Sequence, residues 1–140
     1  MGLRLTIGTR IGWWRRAKGP LLLLAAACTE PSAPPPDPIT LLIQAGTSQF
    51  GLPSSPLTDR LQIIVLDAST NRPRANVAIE WRVVSGVGAT VTPDKSTTGT
   101  DGIIRATVRL GSALGDYVIE ATGVNLTGSP ARFTARAVQQ

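Results

Sequence analysis

Beyond residue 60 the chain alternates apolar and polar side chains in short runs. Val77, Ile79, Trp81 and Val83 share one parity, and Ala78, Glu80 and Arg82 the other. Ile104, Ala106, Val108 and Leu110 oppose Arg105, Thr107 and Arg109 in the same way. Alternation is the mark of a half-buried strand, because successive side chains leave a pleated backbone on opposite faces. The runs at 61–66, 117–121 and 133–137 also read as strands. Asn71-Arg72-Pro73, Thr92-Pro93-Asp94, Asp101-Gly102 and the segments 111–115 and 127–130 separate them with the residue types that turns demand. No stretch after residue 28 keeps the period of a helix. About seven short strands in about 100 residues predict an all-β fold, a single antiparallel β-sandwich over 39–140.

A different pattern precedes it. Residues 21–27 read LLLLAAA, an apolar run of seven followed by Cys28, the only cysteine. A membrane-spanning helix needs roughly 17–25 apolar residues, so this run is too short to span. Arg4, Arg10, Arg15, Arg16 and Lys18 stand before it with no acidic residue, the basic-then-apolar order of an export signal. Arg15-Arg16 lacks the surrounding residues of a twin-arginine motif. The alanines before Cys28 resemble a lipobox, the motif read by the lipoprotein signal peptidase, with Ala25 where Leu is more usual. The resemblance implies a signal peptide at 1–27, diacylglyceryl attachment to the Cys28 thiol, and Cys28 as the acylated N-terminus. Two or three acyl chains would hold the protein to a membrane where one holds only marginally. Thr29, rather than Asp, after the Cys implies the outer membrane.

Residues 29–38 read TEPSAPPPDP, with five prolines in ten residues. Proline fixes φ and lacks a donor, so the segment favours extended polyproline II and would reach about 30 Å. With Cys28 it forms an expected spacer, 28–38.

Charge and composition now exclude several functions. The formal charge is +5, yet five of the 14 Lys+Arg lie in the leader and all nine Asp+Glu lie after Cys28. The remainder is neutral, so nucleic acid is not an expected partner. The chain has no histidine, which removes the usual general base and the commonest metal ligand. With its single thiol acylated, Cys-His catalysis and cysteine-bearing zinc sites fall away, and no intrachain disulfide can form. No catalytic residue, metal or cofactor is expected.

The residues from 61 onward also resemble a family. The strand ending at Asp67, the turn Asn71-Arg72-Pro73 and the run Asn76-Val77-Ala78-Ile79-Glu80-Trp81 follow the order seen in bacterial Ig-like domains of the invasin/intimin type. Thr100-Asp101-Gly102, Leu110-Gly111, Gly115-Asp116-Tyr117 and Ser129-Pro130-Ala131-Arg132-Phe133 continue it, so the resemblance covers 39–138. Arg72 stands where the family usually has Asn, Asn76 where Gly is common, and Trp81 in place of Phe. The resemblance implies an Ig-like fold and brings adhesion into view, although a solitary copy makes a poor stalk.

The candidate side chains carry structural expectations first. Trp81 alternates in phase with core positions, and Tyr117 sits where sandwich tyrosines tie a corner. Asp67, Asp94, Asp101 and Asp116 lie at or near turns, where aspartates accept backbone donors; they lack the acidic spacing of a calcium loop. Glu80 and Glu120 are expected to face outward on separate strands. Asn125-Leu126-Thr127 matches a glycosylation acceptor that means little in a bacterial lipoprotein. Cys28 is the one expected site, for lipidation; the ligand-binding residues are unknown. The expected protein is a monomeric, non-enzymatic envelope lipoprotein that recognises an envelope or extracellular protein or polysaccharide, or acts as a spacer. The alternative is an accessory subunit of an envelope secretion, polysaccharide or transport complex.

Overall fold

Nine strands, not about seven, make up the fold in the computed structural model, which describes residues 37–140. They are β1 (Ile39–Ala45), β2 (Gln49–Gly51), β3 (Leu61–Asp67), β4 (Glu80–Ser85), β5 (Thr90–Pro93), β6 (Ile103–Arg109), β7 (Gly115–Thr122), β8 (Leu126–Thr127) and β9 (Ala131–Ala137). One sheet has the order β5-β6-β3-β1-β8, the other β2-β9-β7-β4. The fold is therefore the expected all-β sandwich, with no helix among the described residues. The proposed leader, Cys28 and most of the spacer lie outside the described residues.

The pairing is not purely antiparallel. β1 pairs β8, and β2 pairs β9, in parallel. Each exception follows from a change of sheet: β2 continues β1 on the opposite sheet, and β8 leaves the sheet of β7 and β9 to lie beside β1. β1 runs against β3, turns at Gly46–Ser48, and re-emerges as β2 on the edge of the opposite sheet. Gly46 has φ of 91°, and a Cβ there would overlap the Arg60 carbonyl oxygen and lie 2.7 Å from Leu61 Cα. Only glycine meets both demands cheaply.

The inward rows follow the alternation. Ile104, Ala106, Val108 and Leu110 are buried from one sheet, with Leu41, Ile63 and Val65 beside them. Tyr117, Ile119, Ala121, Phe133, Ala135 and Ala137 meet them from the other. Each fully buried large aliphatic or aromatic side chain contributes about 1.5–3 kcal/mol relative to exposure. The run at 77–83 keeps its predicted faces but is not one strand. Its first half pairs instead with residues 96–98: Ile79 N donates to Ser96 O at 3.0 Å and Thr98 N to Val77 O at 2.9 Å. The strand proper begins at Glu80. Asn76, which opens the run, has φ of 61°; Asn tolerates that left-handed conformation better than other non-glycine residues.

The two poles of the sandwich differ. Ala68 N donates to Pro38 O at 2.8 Å, so the segment entering β1 lies beside the β3–β4 turn. At the opposite pole, Ser54 N donates to Gly111 O at 2.9 Å and Val138 N to Gly51 O at 3.0 Å, binding the β2–β3 and β6–β7 loops and the C-terminal segment together.

Gly46→Ala is expected to lower stability by about 1–3 kcal/mol through strain at the sheet switch. A fall in the urea midpoint at unchanged m-value would show it; an unchanged midpoint would contradict the role given to Gly46.

Candidate functional site

The outer face of the four-stranded sheet carries the densest side-chain chemistry. Register places Arg82 of β4 opposite Glu120 of β7, and Glu120 opposite Arg132 of β9. Arg82 Nε and Nη2 donate to Glu120 Oε2 at 3.1 and 2.7 Å, and Arg132 Nε donates to Oε1 at 2.6 Å. Glu120 points outward, as its parity predicts, but it is fully buried beneath the two arginines. Their own side chains stay 63% and 67% exposed. The outward orientation is as expected; the burial comes from two guanidinium groups that form its roof. Hydrogen bonding from Arg82 holds the carboxyl below its ordinary range, opposed by burial and reinforced by Arg132. Glu80 pairs with Thr122 across the same two strands, one row from Arg82 rather than in the triad. The two glutamates form no acid–base pair across a cleft.

Trp81 packs against the core, as its parity predicts. Its ring stacks on Phe133 with centroids 5.5 Å apart and planes at 30°, a pairing worth about 0.5–1.5 kcal/mol beyond area burial. Trp81 Nε1 is nevertheless buried with no hydrogen-bond partner. Such an orphan costs about 1–3 kcal/mol, a cost that phenylalanine at this position would not carry. Tyr117 ties its corner: its hydroxyl donates to Ala113 O at 2.6 Å, and its ring fills the space where a Cβ on Gly86 would stand.

The turn aspartates have structural partners. Asp67 Oδ1 accepts from Ser69 N at 3.0 Å, Ser69 Oγ at 2.5 Å and Thr70 N at 3.1 Å. The Ser69 hydroxyl is the leading cause of its lowered pKa, against a desolvation that raises it. Asp94 accepts from Arg105 N, and Asp101 from Ile103 N, both at 3.1 Å. The Ile103 amide leads in lowering the pKa of Asp101. Asp116 lies 3.7 Å from Arg136 in a loose, exposed pair. Asp67, Asp94 and Asp101 stand at separate turns and Asp116 within β7, and no cluster of metal-ligating side chains occurs among the described residues. Cys28, the lipidation candidate, lies outside the described residues.

A shallow open depression of about 480 Å³ lies toward the β2 end of the arginine-bearing face, lined by Phe50, Asp116, Val118, Thr134 and Arg136 among others. Phe50 is 68% exposed. Asp116 is its one carboxylate, so it has no second acid for paired-carboxylate hydrolysis.

With this geometry in view, the fold can be compared with known proteins. No protein-family model matches the chain, and no curated protein matches it significantly. Solved structures do. Domains 4 and 5 of the S-layer protein SbsC share 17% identity over 71% of this chain and 51% of that one, with a TM-score of 0.54. The Yersinia pseudotuberculosis adhesin InvE shares 13% over 73% of this chain and 32% of its own, at 0.55. The Escherichia coli adhesin FdeC shares 15% over 72% and 31%, at 0.50. The chain spans about half of the first of these and a third of the others. At these identities the likeness is one of fold: an Ig-like sandwich of the kind built into bacterial adhesins and S-layer proteins.

The Glu120 triad makes a pH prediction. A carboxyl lowered in the folded state stabilises fully above its unfolded pKa, about 4.3, and loses that contribution as pH falls through the folded value. Glu120→Gln should therefore melt below wild type at neutral pH, and the two curves should converge in acid below about pH 4. Parallel curves across that range would contradict the arrangement.

Proposed function

We propose that this protein is a non-catalytic lipoprotein of the bacterial cell envelope, anchored through Cys28, whose Ig-like domain serves as a recognition or structural module. The observation that carries the reading is the sandwich's likeness to adhesin and S-layer domains. The arrangement of side chains agrees with it. The buried carboxylate is roofed by arginines, Asp67, Asp94 and Asp101 are bound to backbone donors, and the tyrosine ties a loop. Such groups build a scaffold rather than move protons. An outer-membrane site follows from Thr29 on the same reading.

A second reading, an accessory subunit of an envelope secretion, polysaccharide or transport complex, draws on apolar side chains left uncovered at and near the pole away from Pro38. Val87 is 87% exposed, Phe50 68% and Leu114 50%. Exposed apolar groups of this kind suit a standing protein contact.

Labelled palmitate should enter the wild-type protein and co-sediment with the envelope, while Cys28→Ser takes up none and stays unprocessed or soluble. A wild-type chain that never labels overturns the anchor. Cross-linking in intact cells then separates the two readings. One stoichiometric envelope protein favours the subunit, and extracellular ligands alone favour recognition.

A further inference from the structure

Strand β4 forms one edge of its sheet, and its register shows which backbone groups are left over. Ile79 N and Val77 O point away from β7, toward residues 96–98. Side chains alternate without interruption from Val77 to Val83, with 77, 79, 81 and 83 all directed to the core side. In such a strand alternate residues turn their N–H and C=O to the same edge. Trp81 and Val83 therefore present theirs to the open side, while Glu80 and Arg82 bond to β7 opposite Thr122 and Glu120. Residues 96–98 begin a fifth strand on this edge, with Ala78 bridged to Thr97. The chain then stands in β5, within the other sheet, for residues 90–93. Beyond Val83 a bulge before Ser85 ends the regular edge. What remains is a gap two residues long in a ladder already begun.

We infer that the open edge of β4 at Trp81 and Val83 is a strand-addition site for a short extended segment of a partner protein. Strand addition supplies affinity through main-chain hydrogen bonds and specificity through alternate side chains. The outward row selects the partner's charges. Glu80 is exposed and has no ion pair among the described residues, so it calls for a cation opposite. Arg82 already holds Glu120 but stays 63% exposed, so it accepts a carboxylate. The inward positions, beside Trp81 and Val83, take small apolar side chains.

A second copy of this chain does not fit the same edge. Antiparallel self-pairing centred on Arg82 sets Arg82 against its own copy, and like charges directly opposite destabilise a sheet. Centring on Trp81 sends the second copy's Val83 to Ile79, whose N–H already donates to Ser96 O. Centring on Val83 sends Trp81 against the bulged backbone at Ser85. The occupant is a different protein.

This rests on the recognition reading and sharpens it. The probe is the blocked peptide Val-Glu-Val-Lys, which run antiparallel to β4 sets Glu against Arg82 and Lys against Glu80 and stops short of Ile79 and of the bulge. Its counterpart exchanges the Glu and the Lys. Amide exchange is followed at Trp81 and Val83 in the isotope-labelled full chain in detergent micelles. Both amides should exchange quickly in the free chain and slow by about tenfold or more with the first peptide, and less with the second. Val83→Pro should abolish the protection at Trp81. Should that variant unfold, Glu80→Lys provides the second test, because it should reverse the preference between the peptides. Slow exchange at both amides in the free chain overturns the site. So does protection that rises with chain concentration alone, or equal protection by both peptides. A chain that incorporates palmitate yet shows no protection keeps the envelope reading and loses this one.

Discussion

Two inward faces must bury each other here without a covalent tie. One cysteine cannot form an intrachain disulfide, so the sandwich depends on apolar contact between β3 and β6 on one side and β7 and β9 on the other. Ile63, Val65, Ile104, Ile119 and Phe133 are fully buried, and every other feature is fitted around them. The sheet switch at Gly46 lets a single N-terminal segment border both sheets. The Tyr117 hydroxyl fastens a loop over the core. The orphaned Trp81 Nε1 is the concession made for aromatic bulk between the sheets.

Once the core has set the strand register, the outer faces inherit their chemistry. Arg82, Glu120 and Arg132 come from three strands, yet the pairing places them in one row. A carboxylate flanked by two arginines is desolvated without being orphaned, the condition under which a buried charge is tolerated. The same register decides which backbone groups of β4 remain open. Structural and recognition features on this sheet thus have one origin.

Legibility in the sequence followed the same division. The alternating runs 77–83 and 104–110 show their inward rows directly, because those side chains are buried for reasons local to each strand. β2 and β8 have three and two residues, too few to carry a period, and β1 reads ITLLIQA with contiguous apolar residues that mask its faces. The parallel pairings followed from two changes of sheet, one at Gly46 and one between β7 and β8, and no periodicity marks either. Trp81, Tyr117 and the turn aspartates were legible because their roles are set by parity or by adjacent residues. The burial of Glu120 was not, since its partners lie 38 and 12 residues away. The open edge at Trp81 and Val83 is a property of pairing, and no composition or spacing encodes it. The lipidation motif at Cys28 is the reverse case, a local signal that needs no fold to be read.

The central claim is that one shared apolar core, with no covalent help, holds both sheets as a unit. Equilibrium urea unfolding followed at the methyl groups of Ile63 and Ile119, one from each sheet, tests it most directly. The account predicts that both signals are lost at the same midpoint and that added reductant leaves that midpoint unchanged. Separate midpoints, or a midpoint that falls on reduction, would contradict it.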